Sequence, residues 1–161
     1  MENEQQEVES IHRYITFYVG DMFFGIEVLK VQELLRYQEI TSVPLAPDVV
    51  EGLINLRGQI VTAVDMRRRL NLGPRADGVM PMNIVVRSAD GAVSLLVDEI
   101  GDVLEPPSSI HEPPPATMPE VDKEIIECVC KLDGKLLLVL NTGRVLQTSS
   151  DSVQRSRSEP C

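Results

Sequence analysis

Gly52-Leu53-Ile54-Asn55-Leu56-Arg57-Gly58-Gln59-Ile60-Val61-Thr62-Ala63-Val64-Asp65 sets two short apolar runs either side of an arginine and a glycine. Gly52 to Leu56 and Ile60 to Asp65 read as strands, and Arg57-Gly58-Gln59 as the turn between them. Val and Ile, whose branched Cβ restricts χ1, fit a pleated sheet better than a helix. Downstream, Met66 to Leu70 reads as a short helix carrying Arg67, Arg68 and Arg69. Asn71 to Pro81 holds two Gly and two Pro and is the best internal boundary. Upstream, Pro44 and Pro47 break regular structure, and Asp48 to Glu51 reads as one helical turn.

The same style extends to both ends. His12 to Val19 and Met22 to Ile26 form strands across a Gly20-Asp21 turn. Val28 to Tyr37 fits a helical stripe through Val28, Leu29, Val31, Leu34 and Leu35. It equally fits a strand face through Val31, Glu33, Leu35 and Tyr37, and a short turn followed by a strand is favoured. Asn83 to Arg87 pairs with Ala92 to Val97 across Ala89-Asp90-Gly91, because Asp and Gly tolerate positive φ. Asp102 to Leu104 is a short strand. Glu105 to Pro119 carries six Pro and reads as extended loop. Ile125 to Leu132 and Lys135 to Leu140 form a last hairpin around Asp133-Gly134. Asn141 or Thr142 caps a short helix running through Gln147. About nine or ten strands at roughly 8–12-residue spacing indicate an all-β sandwich or barrel. The long alternating helices of a parallel α/β fold are not visible.

Composition narrows the function. The 161 residues suit one compact domain or two small fused lobes, and a hydrophobic share of 43% supports a real core. A formal net charge of −10 argues against nucleic acid and against anionic membranes. No apolar run reaches the length of a membrane span and the N-terminus is acidic and polar, so a cytoplasmic protein without membrane insertion is expected. Residues 1–10 and 149–161 read as flexible tails around a domain at 11–148. Three cysteines, Cys128, Cys130 and Cys161, form no disulfide framework and fit reduced thiols.

Chemistry is sparse. His12 and His111 lack partners at triad or metal spacing and read as exposed surface residues. Cys128 and Cys130 share a strand face, but a tetrahedral zinc site needs four ligands, so two core thiols are the better reading. No phosphate-binding glycine loop and no nucleophile elbow occur. Asp98 and Glu99 read as solvated strand-end residues. No catalytic residue, cofactor or metal site is expected. Three features suggest binding instead: Arg57 at its turn, the Arg67-Arg68-Arg69 run, and exposed strand edges. Taken alone, Arg57 is an ordinary solvated turn residue and the arginine run a charged helix face.

The stretch from Gly52 to Arg67 resembles the signature of the CheW family, G-x-x-N-L-R-G-x-x-x-P-x-x-D-L-R. Phe24 to Glu33 is similar to the family segment after the first hairpin. Val43-Pro44 and Pro47 are similar to its approach to the signature, and Val97 to Leu104 to a later strand pair. The match runs from about Tyr14 to Leu146. It departs at Thr62, where Pro is usual, and at Met66, where Leu is usual. The resemblance implies two five-stranded SH3-like β-barrels sharing an inter-barrel hydrophobic core. It implies a non-enzymatic adaptor that couples methyl-accepting chemoreceptors to the histidine kinase CheA, with ring assembly alongside CheA's regulatory domain. The implied receptor-binding residues are Val31, Glu33, Arg57, Met82 and Ile100, with Arg57 the polar anchor and the apolar three the floor of a groove. Kinase contacts are implied on loops at the outer barrel ends. Alternatives are a coupling module of another chemosensory-type pathway, a module cut from a larger protein, and a thiol-dependent enzyme using Cys128 or Cys130. The start at Met1, with no helical dimerisation or ATPase motif, favours a stand-alone protein.

Overall fold

The computed structural model describes residues 12–88 and 91–145. Among the described residues, eleven strands fall into two sheets. One sheet has the order β8-β1-β2-β11-β10-β9 and the other β3-β6-β7-β5-β4. The strands are β1 (Tyr14–Val19), β2 (Met22–Glu27), β3 (Val31–Leu35), β4 (Val50–Leu56), β5 (Gln59–Asp65), β6 (Met82–Ser88), β7 (Gly91–Val97), β8 (Glu99–Leu104), β9 (His111–Glu112), β10 (Ile126–Leu132) and β11 (Lys135–Leu140). Among the described residues two short helices accompany them, α1 (Met66–Arg69) and α2 (Glu120–Ile125), and 142–145 form a further helical turn. The fold is all-β, with two SH3-like barrels. The sixth strand of the larger sheet is β9, which is only two residues long.

Alternation along the strands creates three cores. Side chains point to opposite faces at successive positions. In β6, Ile84 and Val86 therefore enter a cluster shared by both sheets, while Val85 enters a second one. Leu138 and Leu140 of β11 join the shared cluster, while Leu137 and Val139 join a third. The second cluster, with Ile54, Leu56, Val61, Ala63 and Leu96, belongs to the five-stranded sheet alone. The third, with Tyr14, Phe23 and Cys130, belongs to the six-stranded sheet alone. The shared cluster lies between the barrels and contains Phe17, Val19, Phe24 and Ile26 from one side and Val64, Leu95 and Val97 from the other.

Connectivity is not sequential by halves. The chain leaves the six-stranded sheet after β2, builds the whole five-stranded sheet, and returns at β8. Residues 71–81, the expected internal boundary, join α1 to β6 within a single sheet. The crossings between sheets fall after Glu27 and at Asp98. Each sheet holds one parallel pair, β2 with β11 and β5 with β7, and antiparallel pairs elsewhere.

Local expectations fare unevenly. Residues 28–30 are a single 3-10 turn followed by β3, as favoured. Val50 and Glu51 extend β4 rather than form a helical turn, because Val50 pairs with Val64 of β5. Helix α2 follows the Pro-rich segment, where the sequence suggests no helix; Glu120 and Asp122 stand in its first turn, where the helix dipole favours acids. Asn141 Oδ1 accepts the Arg144 N–H at 3.1 Å, so Asn141 is the cap of the last described turn. The two expected tails, the Ala89-Asp90 turn and the helix beyond residue 145 lie outside the described residues. Among the described residues no helix is long and apolar enough to cross a membrane.

Candidate functional site

Arg57 owes its position to a two-residue hairpin. Arg57 (φ 51°) and Gly58 (φ 88°) both lie at positive φ, the geometry that matches the right-handed twist of the flanking strands. Leu56 faces Gln59 across this turn, and Asn55 Oδ1 accepts the Gly58 N–H at 2.9 Å. The guanidinium then reaches β3, where its Nη2 donates to Glu33 Oε2. Arg57 remains 76% exposed while Glu33 is only 19% exposed. The carboxylate thus orients the cation and leaves its other donors toward solvent.

A bulge at Gln32 sets the facing of β3. Val31 pairs with Val86, but Glu33 pairs with Val85, so two residues of β3 advance against one of β6. Val31 therefore turns to the shared core while Glu33 turns to the face on which the β4–β5 turn lies. Val31, Val86, Val93, Thr62 and Leu53 form one row across the sheet. Ile100 of β8 packs on the same shared core from the other sheet, opposite Phe17. Met82 also touches that core, but it lies four residues along β6 from Val86, about 13 Å at the usual rise. Thus the five predicted residues divide: Glu33 joins Arg57, Val31 and Ile100 approach the shared core from two edge strands, and Met82 stands at the opposite end. β3 and β8 are each the terminal strand of their sheet among the described residues. Leu34 and Ile60, exposed beside Glu33 and Arg57, add apolar surface that the sequence reading missed.

The arginine run has another use. Arg67 Nη2 and Nε lie 2.7 and 2.9 Å from Asp98 Oδ2 and Oδ1, and Arg67 Nη1 donates to Gly73 O at 2.8 Å. Arg75 meets Asp65 at 3.2 Å and Asp98 at 2.9 Å. The Asp98 contact of Arg75 is an ion pair without good hydrogen-bond alignment. Burial alone would raise the Asp98 carboxyl, but the Arg67 hydrogen bond, the Gly20 N–H and the two cations hold it below the usual carboxylate range. Asp98 is therefore not a solvated strand-end residue. Arg69 is buried beside Glu124 at 3.6 Å, and burial lowers its pKa. Arg68 meets Glu51 at 2.8 Å. The run is engaged within the fold, and no simple charged face remains.

A pocket of about 450 Å³ opens between loop 36–49 and loop 71–81, lined by Tyr37, Ile40, Glu51, Arg68, Val79 and Pro81 among others. Tyr37, Val43, Leu45, Val79 and Met80 are exposed on these two loops. Leu45 also lies at φ 64°, a strained position for a leucine.

The histidines are half-buried rather than fully exposed. Tyr14 Oη lies 3.2 Å from His111 Nε2, and His111 Nδ1 lies 3.1 Å from Pro107 O. A carbonyl can only accept, so Nδ1 carries a proton directed at Pro107 O. His12 stacks on Tyr14 at 6.3 Å between ring centres. Cys130 is buried and Cys128 half-buried, both against the six-stranded sheet's own core. Burial pushes the Cys128 thiol up to about 11 and raises Cys130 as well. Among the described residues no group of three or more His, Cys, Asp or Glu is arranged to hold a metal ion.

Comparison with known proteins fits this geometry. The chain is 30% identical to the chemotaxis protein CheW of Bacillus subtilis over 148 residues, covering 89% of this chain and 92% of that one. It is 25% identical to the chemotaxis protein CheW of Treponema pallidum over 145 residues, covering 88% and 84%. The crystal structure of the scaffolding protein TtCheW from Thermoanaerobacter tengcongensis superposes with a TM-score of 0.75 at 26% identity, covering 83% of this chain and 90% of that one. The family model of the CheW-like domain matches residues 13–150, so the paired barrels, the signature turn and the chain's length agree, and the chain belongs to the CheW family.

Proposed function

We propose that this chain is a non-enzymatic adaptor coupling methyl-accepting chemoreceptors to the histidine kinase CheA. One observation carries the reading: an exposed guanidinium is oriented by a half-buried carboxylate on β3, an edge strand whose Val31, like Ile100 on the edge strand of the other sheet, packs on the shared core. Such a surface suits a helical receptor tip, with apolar side chains on its floor and one polar group held by Arg57. Val31 and Ile100 line the groove, Glu33 aims the anchor, and Met82 marks its far end. An adaptor needs a second surface. The exposed apolar residues of loops 36–49 and 71–81 supply it, and they take the regulatory domain of CheA. Residues 11–148 act as the working unit in the cytoplasm. Recruitment to membrane-associated arrays runs through the receptor, and alternation with CheA builds rings.

Holding both partners on one body makes their encounter nearly intramolecular. The test is co-sedimentation with receptor-bearing membranes, with and without the kinase. The chain pellets with the membranes, and the kinase pellets efficiently only when the chain is present. Kinase sedimentation that ignores the chain refutes the reading.

A further inference from the structure

The groove just described is not built on one rigid sheet. Val31 and Glu33 belong to β3 of the five-stranded sheet, whereas Ile100 belongs to β8 of the six-stranded sheet. Its width therefore depends on how the two sheets are held together. Apolar packing between them is non-directional and permits sliding, so a directional contact is needed to fix an angle.

Asp98 supplies that contact. It is the residue at which the chain passes from β7 of one sheet to β8 of the other. Its backbone N–H donates to Tyr18 O at 3.0 Å, and its Oδ2 accepts the Gly20 N–H at 2.7 Å, both in the β1–β2 hairpin of the six-stranded sheet. The same carboxylate takes the Arg67 fork, which rises from α1 at the end of β5, and meets Arg75. Arg75 is tied back to Asp65 and to Leu96 O at 3.2 Å, both in the five-stranded sheet. Side-chain exposure is 20% for Arg67, 17% for Asp98 and 10% for Arg75, so water competes weakly for these contacts. A planar guanidinium on a carboxylate adds geometric specificity that a greasy interface lacks.

We propose that Asp98 and Arg67 are positioning residues for partner binding: their clamp fixes the angle between the barrels and so keeps β3 and β8 at the spacing a receptor tip requires. This rests on the groove reading above. When the clamp is broken, the barrels stay folded but sample several angles. Apparent affinity then falls in proportion to the fraction of molecules holding the competent angle.

The experiment measures backbone amide residual dipolar couplings in the full chain, with binding to chemoreceptor-bearing vesicles measured in parallel. In the parent protein, couplings from both sheets fit one alignment frame. In Asp98→Asn the two sheets need separate frames, and vesicle binding falls about tenfold, as expected if roughly a tenth of the population stays competent. Arg57→Ala loses binding with a single frame retained. A single frame in Asp98→Asn overturns the clamp. Separate frames with undiminished binding overturn its positioning role. In that case, loss of binding in Arg57→Ala shows that the groove reading stands, whereas unchanged binding in both variants shows that the groove reading has failed too. Should Asp98→Asn not fold, Arg67→Lys, which keeps the charge but loses the fork, is read by the same two measurements.

Discussion

Arg57 combines a strained backbone with an exposed side chain held by Glu33. Holding a non-glycine residue in the left-handed region costs about 1 kcal/mol or more, and here the turn imposes it. Arg57→Ala should therefore leave stability almost unchanged while weakening receptor coupling by about 1–3 kcal/mol once a docked helix covers the site. Glu33→Gln should weaken it less, because the guanidinium survives but loses its orienting partner. Quantitative pull-downs on both variants decide, and unaltered binding in Arg57→Ala removes it as the anchor. Gly52 is a different kind of residue. A Cβ there would lie 2.2 Å from Thr41 O, a backbone atom that cannot swing aside. Gly52→Ala should lower stability by more than about 1 kcal/mol, seen as an earlier thermal melt; an unchanged melt would mean that residues 40–41 do not press on β4. The two described thiols should be inert: in a Cys161→Ser background, alkylation at neutral pH is slow until denaturant is added.

Among elements, the two loops flanking the pocket carry the sharpest prediction. Leu45 is fully exposed, and its positive φ belongs to a turn after Pro44 in which the Ala46 N–H donates to Val43 O at 3.4 Å. Together with Tyr37, Val43, Val79 and Met80 it gives these loops an exposed apolar surface of the kind that partners cover. Leu45→Asp should reduce kinase co-sedimentation at least several-fold and spare receptor binding and the melting temperature. Loss of receptor binding instead would place this loop on the wrong partner. Strand β3 shows how an element can mislead. Its residues alternate in sequence, yet the bulge at Gln32 sends Val31 and Glu33 to opposite faces. Alternation alone assigns them to one face, because a bulge depends on the partner strand and leaves no mark in the residues themselves.

For the whole molecule, acid tests the inter-barrel ion pairs. Asp98 is held below the usual carboxylate range in the fold, so its stabilising share is complete above the unfolded pKa and is lost as pH falls through the folded one. Asp122 works the other way: burial raises it, so its protonated form favours the fold, and that share is present below the ordinary range and lost as pH rises through the raised value. Denaturation followed from neutral to strongly acidic pH should show the parent chain losing stability below the ordinary carboxylate range. Asp98→Asn should start lower and lose less over that window. An equal acid slope in both proteins would show that Asp98 contributes no linkage.

The strands, the turn at Arg57-Gly58 and the signature around them were legible in the sequence, because alternation, β-branching and turn residues act over a few neighbours. So was the shared core, through the family resemblance. Tertiary structure alone decided which strands share a sheet: β2 lies beside β11 although more than a hundred residues separate them, and the Pro-rich loop is followed by a helix. It also decided the fate of charges. Arg67, Asp98 and Arg75 look like surface residues one at a time, and become a half-buried link between barrels only when distant segments meet. Short-range preference is a property of residue types, whereas pairing and desolvation are properties of the neighbours that folding brings.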